Sequence, residues 1–199
     1  MINKIKSTLV FSAVMAIAIP AVAADTLSYA SMSAGFGSSS YQTAYAAQNL
    51  EGYVVNFDAS IPIHSNLAFM GEFSASEIGS QVKGSYNSSL LGIYFHAPVF
   101  NRFDIILGTG FINSTFKVEN FDNTAAAGII ARVGARVMVL DKFEVSGSAT
   151  RSFIDDNATT QGKVMGSFYL DPTNTVSVNL GLTDEDSSRT GFISFSKYF

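Results

Sequence analysis

The sequence predicts an all-β chain, an antiparallel up-and-down β-barrel that crosses a membrane with its strands; ten strands are expected, with eight as the alternative. Three observations lead there. Apolar and polar residues alternate with period two along most of the chain. The connections alternate between tight and longer. The composition is apolar yet poor in charge: 47% hydrophobic and mean hydropathy +0.25, with only 14% charged residues, against about 25% in an ordinary soluble domain. An apolar chain that lacks a second long apolar run has to cross lipid with strands, because only helices and closed barrels satisfy every backbone group there.

The first segment has the three parts of an export signal. Lys4 and Lys6 form a positive start, Leu9 to Ile19 is an uncharged run, and Ala21-Val22-Ala23 supplies the small-x-small pattern. The run is shorter than the roughly 20 residues of a spanning helix. Residues 1–23 are therefore expected to be a cleaved signal peptide, with cleavage after Ala24 as the near alternative, and 24–199 the barrel domain. Removing Lys4 and Lys6 from 12 basic residues leaves 10 against 16 acidic ones, a net charge of −6. No basic cluster suggests a nucleic-acid partner. The chain has no Cys, so stability must come from backbone pairing and burial.

The strands fall into hairpins. Residues 52–61 place Tyr53, Val55, Phe57, Ala59 and Ile61 on one face and Val54, Asn56, Asp58 and Ser60 on the other. After a turn at 62–66, Leu67, Phe69, Gly71, Phe73 and Ala75 continue the apolar face. Leu91, Ile93 and Phe95 lead through a turn at 98–102 to Phe103, Ile105, Leu107 and Phe111. Ala127 to Val139 alternates without a break, turns at 140–142, and returns through Phe143, Val145 and Ala149. Val164, Phe168 and Leu170 precede a turn at 171–174 and then Val176, Val178, Leu180 and Leu182. Weaker strands at 27–36 and 189–199 bring the total to ten, an even number, as closure requires. In a membrane barrel the apolar face meets lipid.

The four turns named above are tight. The other connections, near 37–51, 77–85, 114–124, 154–162 and 184–188, are more polar and mostly longer. Short periplasmic turns and longer external loops are the asymmetry of outer-membrane barrels. The chain closes with Ile193-Ser194-Phe195-Ser196-Lys197-Tyr198-Phe199. Together with the signal and the hairpins, this ending resembles the small outer-membrane β-barrel families of Gram-negative bacteria. The resemblance implies that Ile193, Phe195 and Phe199 form the assembly signal read by the barrel-assembly machinery. It also implies periplasmic chaperones during biogenesis, outer-membrane lipids and lipopolysaccharide as surroundings, and no cofactor. Lys197 departs from the usual apolar third position from the end, though a Lys near the interface can snorkel to water. A monomer is expected.

Chemistry is constrained by two His residues. Barrel enzymes of this class carry their His-containing constellations at the outer rim. His64 and His96 both fall at the periplasmic end, out of reach of an external substrate. His64 reads as a turn residue and His96 as a hydrogen-bonding lumen group. The acidic stretches at Asp155-Asp156 and Asp184-Glu185-Asp186 read as solvated loops rather than a metal site. Asp58, Glu72, Asp104, Arg132, Arg136 and Glu144 share inward parity. Buried charges persist only when paired, so these six are expected to form a lumen charge network centred on Arg136. The leading expectation is a non-catalytic outer-membrane barrel with a structural or surface-interaction role. A narrow porin-like channel is the alternative, and an outer-membrane hydrolase the second.

Overall fold

The computed structural model describes residues 29–42, 49–79, 84–119, 123–154, 157–184 and 188–199. The proposed signal peptide lies outside them. Ten strands follow one another: β1 (Ser31–Gln42), β2 (Asn49–His64), β3 (Leu67–Ile78), β4 (Gly84–Phe100), β5 (Phe103–Val118), β6 (Thr124–Leu140), β7 (Phe143–Ile154), β8 (Asn157–Asp171), β9 (Asn174–Thr183) and β10 (Arg189–Tyr198). Every neighbour is antiparallel, and β1 pairs with β10 from Ser31↔Tyr198 to Ser40↔Arg189, closing the barrel. Closure leaves no edge with unpaired N–H and C=O groups.

The register sets the width. From Ser33, cross-strand partners lead through Asp58, Glu72, Leu90, Ile112, Gly128 and Ile154 to Asn157. In the other direction they lead through Ser196 and Thr175 to Tyr169. Asn157 and Tyr169 lie twelve residues apart on β8, which is the stagger of the closed sheet. With ten strands, that stagger gives a tilt of about 40° and a backbone radius of about 10 Å. Inward side chains reach one another across such a lumen.

The polarity is inverted relative to a soluble barrel. Phe36, Tyr53, Phe69, Leu91, Phe111 and Phe195 are among the large apolar residues exposed on the outside. Ser167, Thr175, Ser177, Asn179 and Ser194 are buried inside. Four of these inner polar groups pair with one another: Ser177 donates to Ser167 at 2.8 Å and Asn179 to Ser194 at 2.9 Å. Leu90, Met70 and Ile130 form a small apolar cluster in the lumen.

The strands are longer than periodicity indicates. β1 continues through Ser38–Gln42, β2 begins at Asn49, β5 runs on to Val118 and β8 starts at Asn157. Beyond the lipid, an outward residue need not be apolar, so the alternation fades while the hydrogen-bond ladder continues. The connection expected at 154–162 shrinks to residues 155 and 156, as short as the turns at the other end. The prolines were also misleading as turn markers. β2 passes through Pro62 to His64, and β4 through Pro98 to Phe100. Both prolines sit at register shifts, where a residue without an N–H is tolerated. All four two-residue turns, at 65–66, 101–102, 141–142 and 172–173, have such a shift on the strand leading into them. At the last turn the Asp171 carboxylate accepts from the Thr173 and Asn174 backbone N–H groups at 2.8 and 2.9 Å. The Asn174 side-chain amide, which donates to the same carboxylate, and then these backbone bonds favour its ionised form and draw its pKa down to about 2.

Two inward glycines mark a close backbone approach rather than open space. Gly92 and Gly110 are cross-strand partners. A Cβ on Gly110 would lie 2.5 Å from the Leu91 carbonyl, and one on Gly92 would lie 2.4 Å from that of Thr109. Only hydrogen fits there, so the two backbones approach closely. Gly110→Val is expected to lose at least about 1–3 kcal/mol through overpacking. The measurement is the urea midpoint of the heat-modifiable gel band. An unchanged midpoint would show that the backbone gives way freely.

Candidate functional site

The lumen carries its charges in two layers. The upper layer is built on Arg132 of β6. Its guanidinium forks onto the Glu72 carboxylate of β3 across the lumen, with Nη2 3.0 Å from Oε2 and Nη1 paired with Oε1. Nε donates to Thr150 on β7 at 2.8 Å. All three of these side chains point inward because β3, β6 and β7 alternate in the same phase about the lumen. Asp58 of β2 faces the same space and accepts from Asn56 at 3.2 Å. Lys163 of β8 also enters the layer, with its Nζ 5.4 Å from the Phe192 ring centroid.

The lower layer lies toward the tight turns. Arg136 donates through Nε and Nη2 to the two Glu144 oxygens, both at 2.9 Å. Tyr169 donates to the same carboxylate at 2.8 Å. Glu144 is fully buried. Arg136 also lies 4.9 Å from the Tyr29 ring centroid. Tyr29 donates its hydroxyl to Asp104, and its ring stacks on His96 at 3.6 Å. Tyr169 stacks on Tyr198 at 5.8 Å. Aromatic rings and one bidentate pair thus occupy the lumen at the turn end.

The six charged residues singled out by parity all face the lumen, but they do not form one network around Arg136. Arg132 and Arg136 stand four positions apart, about 13 Å along the strand, so each recruits a different acid. Asp104, the cross-strand partner of Arg136, takes the Tyr29 hydroxyl. His96, expected to hydrogen-bond in the lumen, stacks instead, and its buried Nδ1 has no hydrogen-bond partner. That atom lies 3.9 Å from Asp104. His64, expected in the turn, is the exposed last residue of β2, 3.0 Å from the Ser65 hydroxyl. Lys163, Tyr94, Tyr169 and Tyr198 also face the lumen; their inward parity is readable in the sequence, but a tyrosine or a lone lysine carries no charge-pairing signal there. At the surface, Ile193 and Phe195 point outward, Lys197 is exposed, and the Phe199 N–H donates to the Ala30 carbonyl at 3.0 Å.

Between the layers lies a cavity of about 200 Å³. Asp58, Glu72, Arg132 and Lys163 line it from above, and Tyr29 and Tyr198 from below. Among the described residues, no three His, Cys, Asp or Glu side chains gather as a metal site.

The model of the outer membrane protein beta-barrel domain matches residues 9–183. The chain belongs to that family. It is accordingly an outer-membrane β-barrel of the Gram-negative envelope. The transport unit of the autotransporter AIDA-I from Escherichia coli shares this fold at TM-score 0.50 and 9% identity, over 97% of this chain and 98% of that one. The translocator domain of the autotransporter NalP from Neisseria meningitidis aligns at TM-score 0.49 and 9% identity, over 100% and 95%. The outer membrane protein OprG from Pseudomonas aeruginosa aligns at TM-score 0.46 and 12% identity, over 88% and 98%. No curated protein matches the chain in sequence.

Proposed function

We propose that the chain is a sealed, non-catalytic barrel of the outer membrane with a structural or surface-interaction role. The carrying observation is the buried Arg136–Glu144 pair, packed with Tyr29, Tyr169 and Tyr198 across the turn end of the lumen. Small barrels are commonly filled by their own side chains. The turn end is assigned to the periplasm and the longer connections to the outside. Residues 1–23 are assigned as the cleaved signal, and Ile193, Phe195 and Phe199 as the assembly signal. The non-catalytic reading is supported by the position of both His residues at the turn end.

Planar-bilayer recording on the refolded barrel tests the seal. The expected result is no steady conductance above background. A stable ohmic step from the parent protein would favour the second reading, a narrow channel for small solutes, which the cavity between the layers supports.

A further inference from the structure

We propose that the lumen cavity is a binding site for a small zwitterion the size of a free α-amino acid. The cavity is lined by two acids, Asp58 and Glu72, and three bases, of which Arg136 is already neutralised by Glu144, leaving Arg132 and Lys163 against the two acids. Their charges cancel, but their bonding does not. Arg132 and Glu72 saturate each other. Asp58 and Lys163 are left over. Lys163 makes no hydrogen bond or ion pair among the described residues, although its charge acts on both Asp58 and Glu72. Asp58 has Asn56 as its side-chain partner on one oxygen, Oδ1, and its other oxygen has no hydrogen-bond partner among the described residues. One unpaired ammonium and one unpaired carboxylate therefore line the same small space.

A lone anion at Lys163 would sit beside two carboxylates. A lone cation at Asp58 would sit beside Arg132 and Lys163. A solute with both charges, and no net charge, satisfies both groups without adding a buried excess. Its ammonium pairs with Asp58 and its carboxylate with Lys163. The remaining wall is mixed: Met70, Ile106 and Met165 offer apolar contact, and Ser146 and Ser148 offer hydroxyls. The volume equals that of about seven waters in the liquid, which sets the size of the guest. Access runs along β8: Lys163 is half-buried, and Gln161, the next inward residue toward the loop end, is exposed. The lower layer makes the site blind at its base, and binding does not require that the barrel conduct.

The test is calorimetric titration of the refolded barrel in detergent with L-alanine, propionate and L-alaninamide. Saturable binding of L-alanine is expected. Propionate, which lacks the ammonium, and alaninamide, which lacks the carboxylate, should each bind at least about tenfold more weakly, equivalent to about 1.4 kcal/mol. Asp58→Asn and Lys163→Gln should weaken L-alanine by a similar factor while the heat-modifiable band is retained. Absence of saturable L-alanine binding would overturn the site. Equal binding of all three ligands would overturn it too, as would parent-like affinity in both variants. If a variant does not refold, the three-ligand comparison on the parent decides alone.

Discussion

Glu144→Ala is expected to destabilise the folded barrel by about 3–5 kcal/mol, the cost of breaking a buried ion pair by removing one partner. The Glu144 side chain is 0% exposed and Arg136 only 10%. Alanine would leave the guanidinium buried without its bidentate acceptor and would strand the Tyr169 hydroxyl, which donates to the same carboxylate. Replacing both partners at once, as Arg136→Met with Glu144→Met, should recover most of the loss, because neither charge of the pair is then left without the other. Urea titration of the refolded protein, followed by gel mobility, reads both variants. A single variant within about 1 kcal/mol of the parent, below the cost of an unsatisfied buried group, would mean that water reaches the turn end. The turn-end plug would then fall as the basis of the proposed seal.

Val133→Arg tests the outer face. Val133 lies mid-strand on β6, is 52% exposed, and points away from the lumen. In lipid, Arg at the midplane of a barrel costs roughly 2–4 kcal/mol, falling to about 0–1 kcal/mol near the interfaces. Ala131→Arg, on the same face, should behave alike. Leu140→Arg, at the turn end of the same strand, should cost much less. A depth-dependent series measured in lipid vesicles is the expected outcome. Neutral effects at both 131 and 133 would show that this face does not meet lipid.

The facing of each strand was legible because a barrel in lipid enforces it twice. Tyr53 outside and Val54 inside are adjacent in sequence and opposite in environment, and a slip of one residue would reverse both. Closure of β1 on β10 also followed from parity. Other features required the closed geometry. Pro62 and Pro98 read as turns because the register shifts that accommodate them leave no mark in the sequence. The pairing of Gly92 with Gly110 across β4 and β5 leaves no mark in the sequence either. Glu72 and Arg132 are 60 positions apart, and their meeting depends on the width of the lumen. Lys163 could be placed inside by parity, but its lack of a hydrogen bond or ion pair among the described residues emerges only once every neighbour is in position.

The fork between Arg132 and Glu72 has a consequence for the size of the barrel. It spans from β6 to β3 with extended side chains whose reach is fixed. One more hairpin at a matching stagger would widen the radius by about 2 Å, and the two groups would part. One hairpin fewer would press them together. The pair therefore acts as a gauge of circumference: it is satisfied at ten strands and penalises a barrel that gains or loses a hairpin. Duplication of a β-hairpin, a simple route by which barrels could change size, would here have to be accompanied by a change at one of these two positions.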